Sequence, residues 1–145
     1  MFKHILLATD GSELADKALS HGLQLAKTLG ARVTAVTVTE PWAAVIGGEA
    51  AYAFPIEEYE KSMAANAKEI LDKVVAAAKA AGVACETVHV TNKMPAEGIL
   101  DAAKEKGADL IVMASHGRSG LMKLLLGSQA NKVVTQSEVP VLICR

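Results

Sequence analysis

Apolar positions along the chain alternate between two spacings. Runs of strand length cover His4 to Thr9, Arg32 to Val38, Cys85 to Val90, Asp109 to Ala114 and Val139 to Cys144, with β-branched residues prominent in most of them. Between the runs, apolar residues recur every three or four positions. Ala15, Ala18, Leu19, Gly22, Leu25, Ala26 and Leu29 trace one helical face before Gly30, and Ile56, Tyr59, Met63, Ala67, Ile70, Val74, Ala78 and Ala81 trace a longer one before Gly82. Pro95 opens a third helix that closes at Gly107, and Gly127-Ser128 opens a fourth through Val133 and Val134.

Strand and helix in strict alternation predict right-handed crossovers, and hence helices on both faces of a mainly parallel sheet. The expected fold is a doubly wound, five-stranded, Rossmann-like α/β domain spanning residues 1–145 as a single unit. The pattern breaks from Glu40 to Pro55, where Pro41, Gly47, Gly48 and Pro55 predict a loop holding the only tryptophan, Trp42. Ligands of such sheets sit beyond the carboxyl ends of the strands, where the strand order reverses. The residues just after the first and fourth strands are therefore the candidates for function.

Composition narrows the choice. Hydrophobic residues make up 51% but aromatic ones only 3%, so the core is built from Ala, Val, Leu and Ile, which suits helices packed closely on a buried sheet. A formal charge of −1 offers no electrostatic footprint for nucleic acid or an anionic membrane, so neither is expected as a partner. The apolar run of residues 1–8 meets Thr9-Asp10-Gly11 too soon for a signal segment or a membrane span, and a cytoplasmic location is expected. Cys85 and Cys144 read as reduced, buried thiols in a chain this rich in core residues.

After the fourth strand stands Met113-Ala114-Ser115-His116-Gly117-Arg118-Ser119-Gly120, followed at the next helix start by Gly127-Ser128. Gly117 and Gly120 let backbone amides approach a ligand, and a helix start supplies unpaired N–H groups and a positive dipole end. Together they suit a polyphosphate. Taken alone, the same residues also describe a plain turn and an ordinary helix cap. Neither G-x-x-x-x-G-K-[ST] nor G-x-G-x-x-G is present to decide between the two.

The whole run resembles the universal stress protein family. Its ATP-binding members carry a strand ending in glycine and then G-x2-G-x9-G-[ST]; this chain reads Ala114-x2-Gly117-x9-Gly127-Ser128. The likeness extends to Ile5-Leu6-Leu7-Ala8-Thr9-Asp10-Gly11-Ser12, Asp109-Leu110-Ile111-Val112-Met113, Leu124-Leu125-Leu126-Gly127-Ser128 and Val139-Pro140-Val141-Leu142-Ile143. Ala114 departs from the pattern, and its effect depends on the backbone there: positive φ would cost about 1–2 kcal/mol, negative φ little.

The resemblance implies ATP, with Mg²⁺, as the ligand. It implies that Asp10, with Ala8 and Thr9 beside it, faces the nucleoside or its metal, while a helix-capping carboxylate is the plainer reading. Val38 resembles the second-strand position whose backbone reads adenine. Met113, Ala114 and Ser115 lead into the phosphate loop, and Gly117, Arg118, Gly127, Ser128 and Gln129 resemble its cradle. His116 is either a phosphate ligand or an uninvolved loop histidine. The resemblance further implies a homodimer joined through the last strand, and a nucleotide-gated module that meets an unidentified protein partner during stress.

Other chemistries fit less well. Cys85 and His89 lie about 13 Å apart along one strand, too far to hold one metal ion. No G-x-S-x-G elbow is present for a hydrolase. A slow ATPase or nucleotidyl-transfer enzyme stays open, with Asp10 and His116 as the groups available near a γ-phosphate. A purely structural dimerisation protein is the third reading, which the Gly117-x9-Gly127-Ser128 spacing argues against.

Overall fold

The computed structural model describes residues 1–53, 55–117 and 125–145. In chain order it contains β1 (His4–Ala8), α1 (Glu13–Leu29), β2 (Arg32–Thr39), α2 (Trp42–Ile46), α3 (Ala50–Ala53), α4 (Ile56–Ala81), β3 (Cys85–Thr91), α5 (Pro95–Lys106), β4 (Leu110–Ala114), α6 (Ser128–Gln136) and β5 (Val141–Cys144). The strands form one sheet in the order β3-β2-β1-β4-β5. Every pairing is parallel, with Ala8 opposite Val36 and Leu7 opposite Val112. This is the doubly wound Rossmann-like α/β fold that the alternating pattern predicts.

Side chains leaving opposite faces of the strands build two cores. Ile5, Leu7, Val33 and Val112 pack with Ala18, Leu23 and Ala26 of α1 and Ala78 of α4. Leu6, Val36 and Ile111 pack on the other side with Ile99 and Ala102 of α5 and Val133 of α6. Burial on both faces explains why β1 and β4 read as continuous apolar runs rather than alternating ones. The scarcity of aromatics has a direct consequence in packing distance. A β-carbon on Gly22 would lie 2.1 Å from Leu7 Cδ2, and one on Gly98 would lie 2.7 Å from Val38 Cγ2, so α1 and α5 approach the sheet where only hydrogen fits.

The first four strands each differ from the sequence expectation by one residue at one end, and two segments differ by more. The segment from Glu40 to Pro55 is not a plain loop: it contains α2 and α3, separated by Gly47 and Gly48 at φ 53° and 60°. Proline is compatible with a helix start, and Pro41 is the N-cap of α2, its carbonyl accepting from Ala44 N–H at 3.0 Å. The final strand begins at Val141 rather than Val139, although Pro140 still accepts from Ile111 N–H at 3.0 Å through its carbonyl. Among the described residues no helix is long and apolar enough to cross a membrane.

Candidate functional site

The strand order reverses between β1 and β4, and a cavity of about 660 Å³ opens beyond their carboxyl ends. Ala8, Thr9 and Asp10 line it from β1, Val38 from β2, Met113, Ala114, His116 and Gly117 from β4 and its loop, and Gly127, Ser128 and Gln129 from the start of α6. These are all residues that the sequence reading singles out.

The chain leaves β1 through a turn built by its own side chains. Thr9 N–H donates to Val36 C=O at 2.9 Å, the last bond from this strand to β2. Gly11, at φ 76°, donates its N–H to Thr9 Oγ1 at 3.1 Å, and Ser12 N–H donates to Asp10 Oδ1 at 2.9 Å. The cap of α1 is Ser12, whose hydroxyl accepts from Ala15 N–H at 3.2 Å. Asp10 therefore shapes the turn ahead of the helix instead of capping it.

Val38 owes its place to strand lengths. Val33 N–H bonds Ala84 C=O towards β3, while Val36 C=O bonds Thr9 towards β1, so backbone groups alternate between neighbours along β2. Val38 follows Val36 by two residues and shares its direction, but β1 has by then ended at Ala8. Its N–H and C=O are thus turned towards the crevice, and Gly98 leaves room for α5 to support its side chain from below.

At the opposite end, Gly127 N–H donates to Ser115 C=O at 2.8 Å and fixes the start of α6 against the loop after β4. Gly127 is the N-cap, with no side-chain cap bond, and its carbonyl accepts from Asn131 N–H at 2.8 Å. The amides of Ser128, Gln129 and Ala130 have no acceptor within the helix and add to its positive end. The Gln129 side chain is partly engaged, its Oε1 accepting from Ala96 N–H at 3.0 Å in the first turn of α5. Its backbone N–H and the side-chain Nε2 donors remain for the cradle.

Ser115 does not line the cavity. It is buried behind it, with its hydroxyl 3.1 Å from His116 Nδ1. Ala114 sits in β4 without positive φ and is buried, so the departure from the glycine pattern carries no backbone strain. Arg118, with Ser119 and Gly120, lies outside the described residues.

Sequence reasoning missed a whole wall. Tyr59, Met63, Asn66, Ala67 and Ile70 of α4 line the cavity, as do Thr37 and Thr39 of β2, Glu40 just after it, and Pro95 and Ile99 of α5. The helical spacing of Tyr59, Met63, Ala67 and Ile70 is visible in the sequence, but it reads as core; nothing in the pattern says that half of the stripe faces a void. Tyr59 O–H donates to Glu40 C=O at 2.9 Å and pins α4 to the end of β2, while burial raises the phenol pKa and keeps it protonated. Asp10 and Glu40 are the carboxylates at the cavity. Among the described residues no group of three or more His, Cys, Asp or Glu gathers to hold a metal unaided.

A parallel sheet with its crevice at the switch point, a backbone edge on one side and a helix start on the other, defines a doubly wound, Rossmann-like α/β domain. The chain belongs to the universal stress protein family, whose model matches residues 1–145. It is similar to universal stress protein YxiE of Bacillus subtilis, with 36% identity over 152 residues that cover 100% of both chains. Its fold is similar to that of MJ0577 from Methanocaldococcus jannaschii, at TM-score 0.83 and 29% identity over 99% of this chain and 96% of that one. It is also similar to a universal stress protein solved in complex with cAMP, at TM-score 0.69 and 27% identity over 99% and 97% of the two chains.

Proposed function

We propose that the chain, as one domain, binds ATP in this crevice and works as a nucleotide-gated binding module of the stress response, acting as a homodimer. One observation carries the reading: the two ends of the cavity differ in the way an adenine nucleotide requires. At one end an apolar slot offers the paired N–H and C=O of Val38, suited to the edge of a base. At the other, the first-turn amides of α6 and the open backbone at Gly117 suit phosphates. The cAMP complex of a relative 27% identical to this chain supports an adenine nucleotide as the ligand class.

The residues present fit Mg²⁺ brought in with the nucleotide. Magnesium is commonly held by one or two carboxylates together with substrate phosphates, and Asp10 supplies such a carboxylate beside Gly117. Bound there, the ion would neutralise phosphate charge. A cytoplasmic location is part of the same proposal.

Calorimetric titration with ATP and Mg²⁺ tests the proposal. The expected Kd is on the order of micromolar, about −8 kcal/mol. Absence of heat at millimolar ATP rejects the reading in favour of a purely structural role. Mass spectrometry of nucleotide copurifying with the protein separates ATP from AMP and cAMP.

A further inference from the structure

We infer that Thr37 and Asn66 form a second polar reader in the cavity, one that touches the sugar edge of the bound nucleoside: purine N3 and the ribose 2′-hydroxyl. The inference rests on the nucleotide reading above and extends it to residues outside the glycine loops.

Thr37 lines the cavity and is only 5% exposed, yet among the described residues its hydroxyl has no hydrogen-bond partner. A buried hydroxyl is normally paired, so one turned into a cavity points to a ligand group. Asn66 is the polar member of the α4 stripe that otherwise presents Tyr59, Met63, Ala67 and Ile70 to the same space. Its amide, which offers both donors and an acceptor, is also without a partner among the described residues.

The fold brings the two to one wall. Alternation along β2 sends Thr37 to the same side as Val33 and Ala35, the side covered by α1 and α4. Helix α4 runs along that side between two anchors, Leu71 and Val74 packed on Ala35 and Tyr59 bonded to Glu40. Asn66 falls between the anchors along α4 and lines the same cavity as Thr37 and Val38.

The direction of β2 then assigns the edge. Within Val38 the N–H precedes the C=O along a strand that runs towards the cavity mouth, so the N–H lies deeper. An adenine that accepts at N1 from the N–H and donates from N6 to the C=O has its amino group towards the mouth. Its C2 and N3 lie towards the floor, where Thr37 is. N3 accepts a hydrogen bond that the Thr37 hydroxyl donates, and the 2′-hydroxyl beside it exchanges one with the Asn66 amide.

The test is calorimetric titration of the wild type, Thr37→Val, Thr37→Ser and Asn66→Leu with ATP, 2′-deoxy-ATP and 3-deaza-ATP, with thermal melting of each protein. The wild type is expected to bind each analogue about tenfold more weakly than ATP. Thr37→Val, which keeps the shape and removes the hydroxyl, is expected to bind ATP about tenfold more weakly and to stop distinguishing ATP from 3-deaza-ATP. Thr37→Ser is expected to retain that distinction, and Asn66→Leu to lose the distinction between ATP and 2′-deoxy-ATP. Wild-type affinity in the Val and Leu variants, or an equal loss for all three nucleotides, overturns the pair while leaving the ATP site standing. A wild type that binds ATP and both analogues alike also overturns it. A wild type that binds no nucleotide overturns the site and the pair together.

Discussion

Gly117 and Asp10 face each other so closely across the crevice that a β-carbon on Gly117 would lie 2.5 Å from Asp10 Oδ2. The other carboxylate oxygen accepts from Ser12 N–H, so the group has little freedom to retreat. Gly117 has no positive φ, which makes the constraint one of space and not of backbone strain. Gly117→Ala should therefore displace the carboxylate from the phosphate end. An ATP affinity about tenfold lower, or ~1.4 kcal/mol, is expected with a nearly unchanged Tm, measured by paired titration and melting. Unchanged affinity would separate Asp10 from the ligand.

Gly127→Val is expected to abolish measurable ATP binding, by a different route from simple blockage of phosphate. A β-carbon at Gly127 would lie 3.0 Å from His116 Cβ and 3.1 Å from both His116 Cα and Ser115 O, so the branched side chain pushes first on the loop after β4. The bond from Gly127 N–H to Ser115 C=O ties the same two segments. Some stability is lost with it, and Tm should fall by about 2–4 °C if the loop's adjustment costs about 1 kcal/mol. Wild-type affinity in a folded variant would place the phosphate elsewhere.

For Ala114→Gly the structure removes the ambiguity left by the sequence. Ala114 lies in β4 and packs in the core with Leu7, Val112 and Cys144. Glycine there gains no allowed conformation that the strand uses, and it deletes a buried methyl. ATP affinity should stay at the wild-type value while stability drops by about 1 kcal/mol, from lost burial and greater unfolded-state freedom. A rise in affinity on titration would show that Ala114 hinders the ligand.

Much of the fold is legible in the sequence because each element carries a local signal. Gly30, Gly82 and Gly107 each close a helix in the left-handed conformation, and the apolar periods change sharply at those residues. The loop residues at the crevice are legible too, since their glycines are spaced by backbone requirements. The α4 wall is not. Tyr59, Asn66 and Ile70 reach the cavity only because β1 stops at Ala8 while β2 continues to Thr39. That difference in length is a tertiary fact: no periodicity within α4 registers it. Helix α2 was hidden for the opposite reason, since Pro41 reads as a breaker when it stands at a helix start.

The sheet edge gives a prediction about assembly. Among the described residues β5 pairs only with β4, and Leu142 on it is 40% exposed, while Val134 of the neighbouring α6 is 43% exposed. An open parallel edge with apolar side chains is a surface that a second copy would cover. Sedimentation at tens of micromolar should show a dimer, and Leu142→Lys should weaken it at least about tenfold by burying an unpaired charge. A wild-type monomer under those conditions rules the proposed assembly out.

The last prediction concerns acid. His4 is almost wholly buried, with Nε2 2.7 Å from Thr34 Oγ1. Thr34 O–H donates to Glu86 Oε1 at 2.9 Å, so the Thr34 oxygen accepts from His4, and the proton sits on Nε2 of a neutral ring. Among the described residues Nδ1 is buried with no hydrogen bond of good geometry, although the Lys106 backbone acts on the ring in the direction that raises its pKa. Burial first, and then the Arg32 charge, hold the His4 pKa below its ordinary 6.5, although Glu86 and Asp109 pull the other way. His89, bonded to Thr39, is lowered by burial as well. A folded state with lowered histidine pKa values binds fewer protons than the unfolded chain, so stability is complete above about pH 6.5 and is lost as pH falls through that value towards the folded pKa. Glu86 and Asp109 have pKa values below their ordinary 4.5 and 3.8, so their stabilisation is lost only at lower pH. Thermal melts of the wild type should therefore show a constant Tm from about pH 8 to about pH 7 and a decline towards about pH 5. His4→Gln, which can still donate to Thr34 but cannot gain a charge, should flatten most of that decline and leave a smaller slope from His89. An acid slope identical in wild type and variant would show that His4 is not the group responsible.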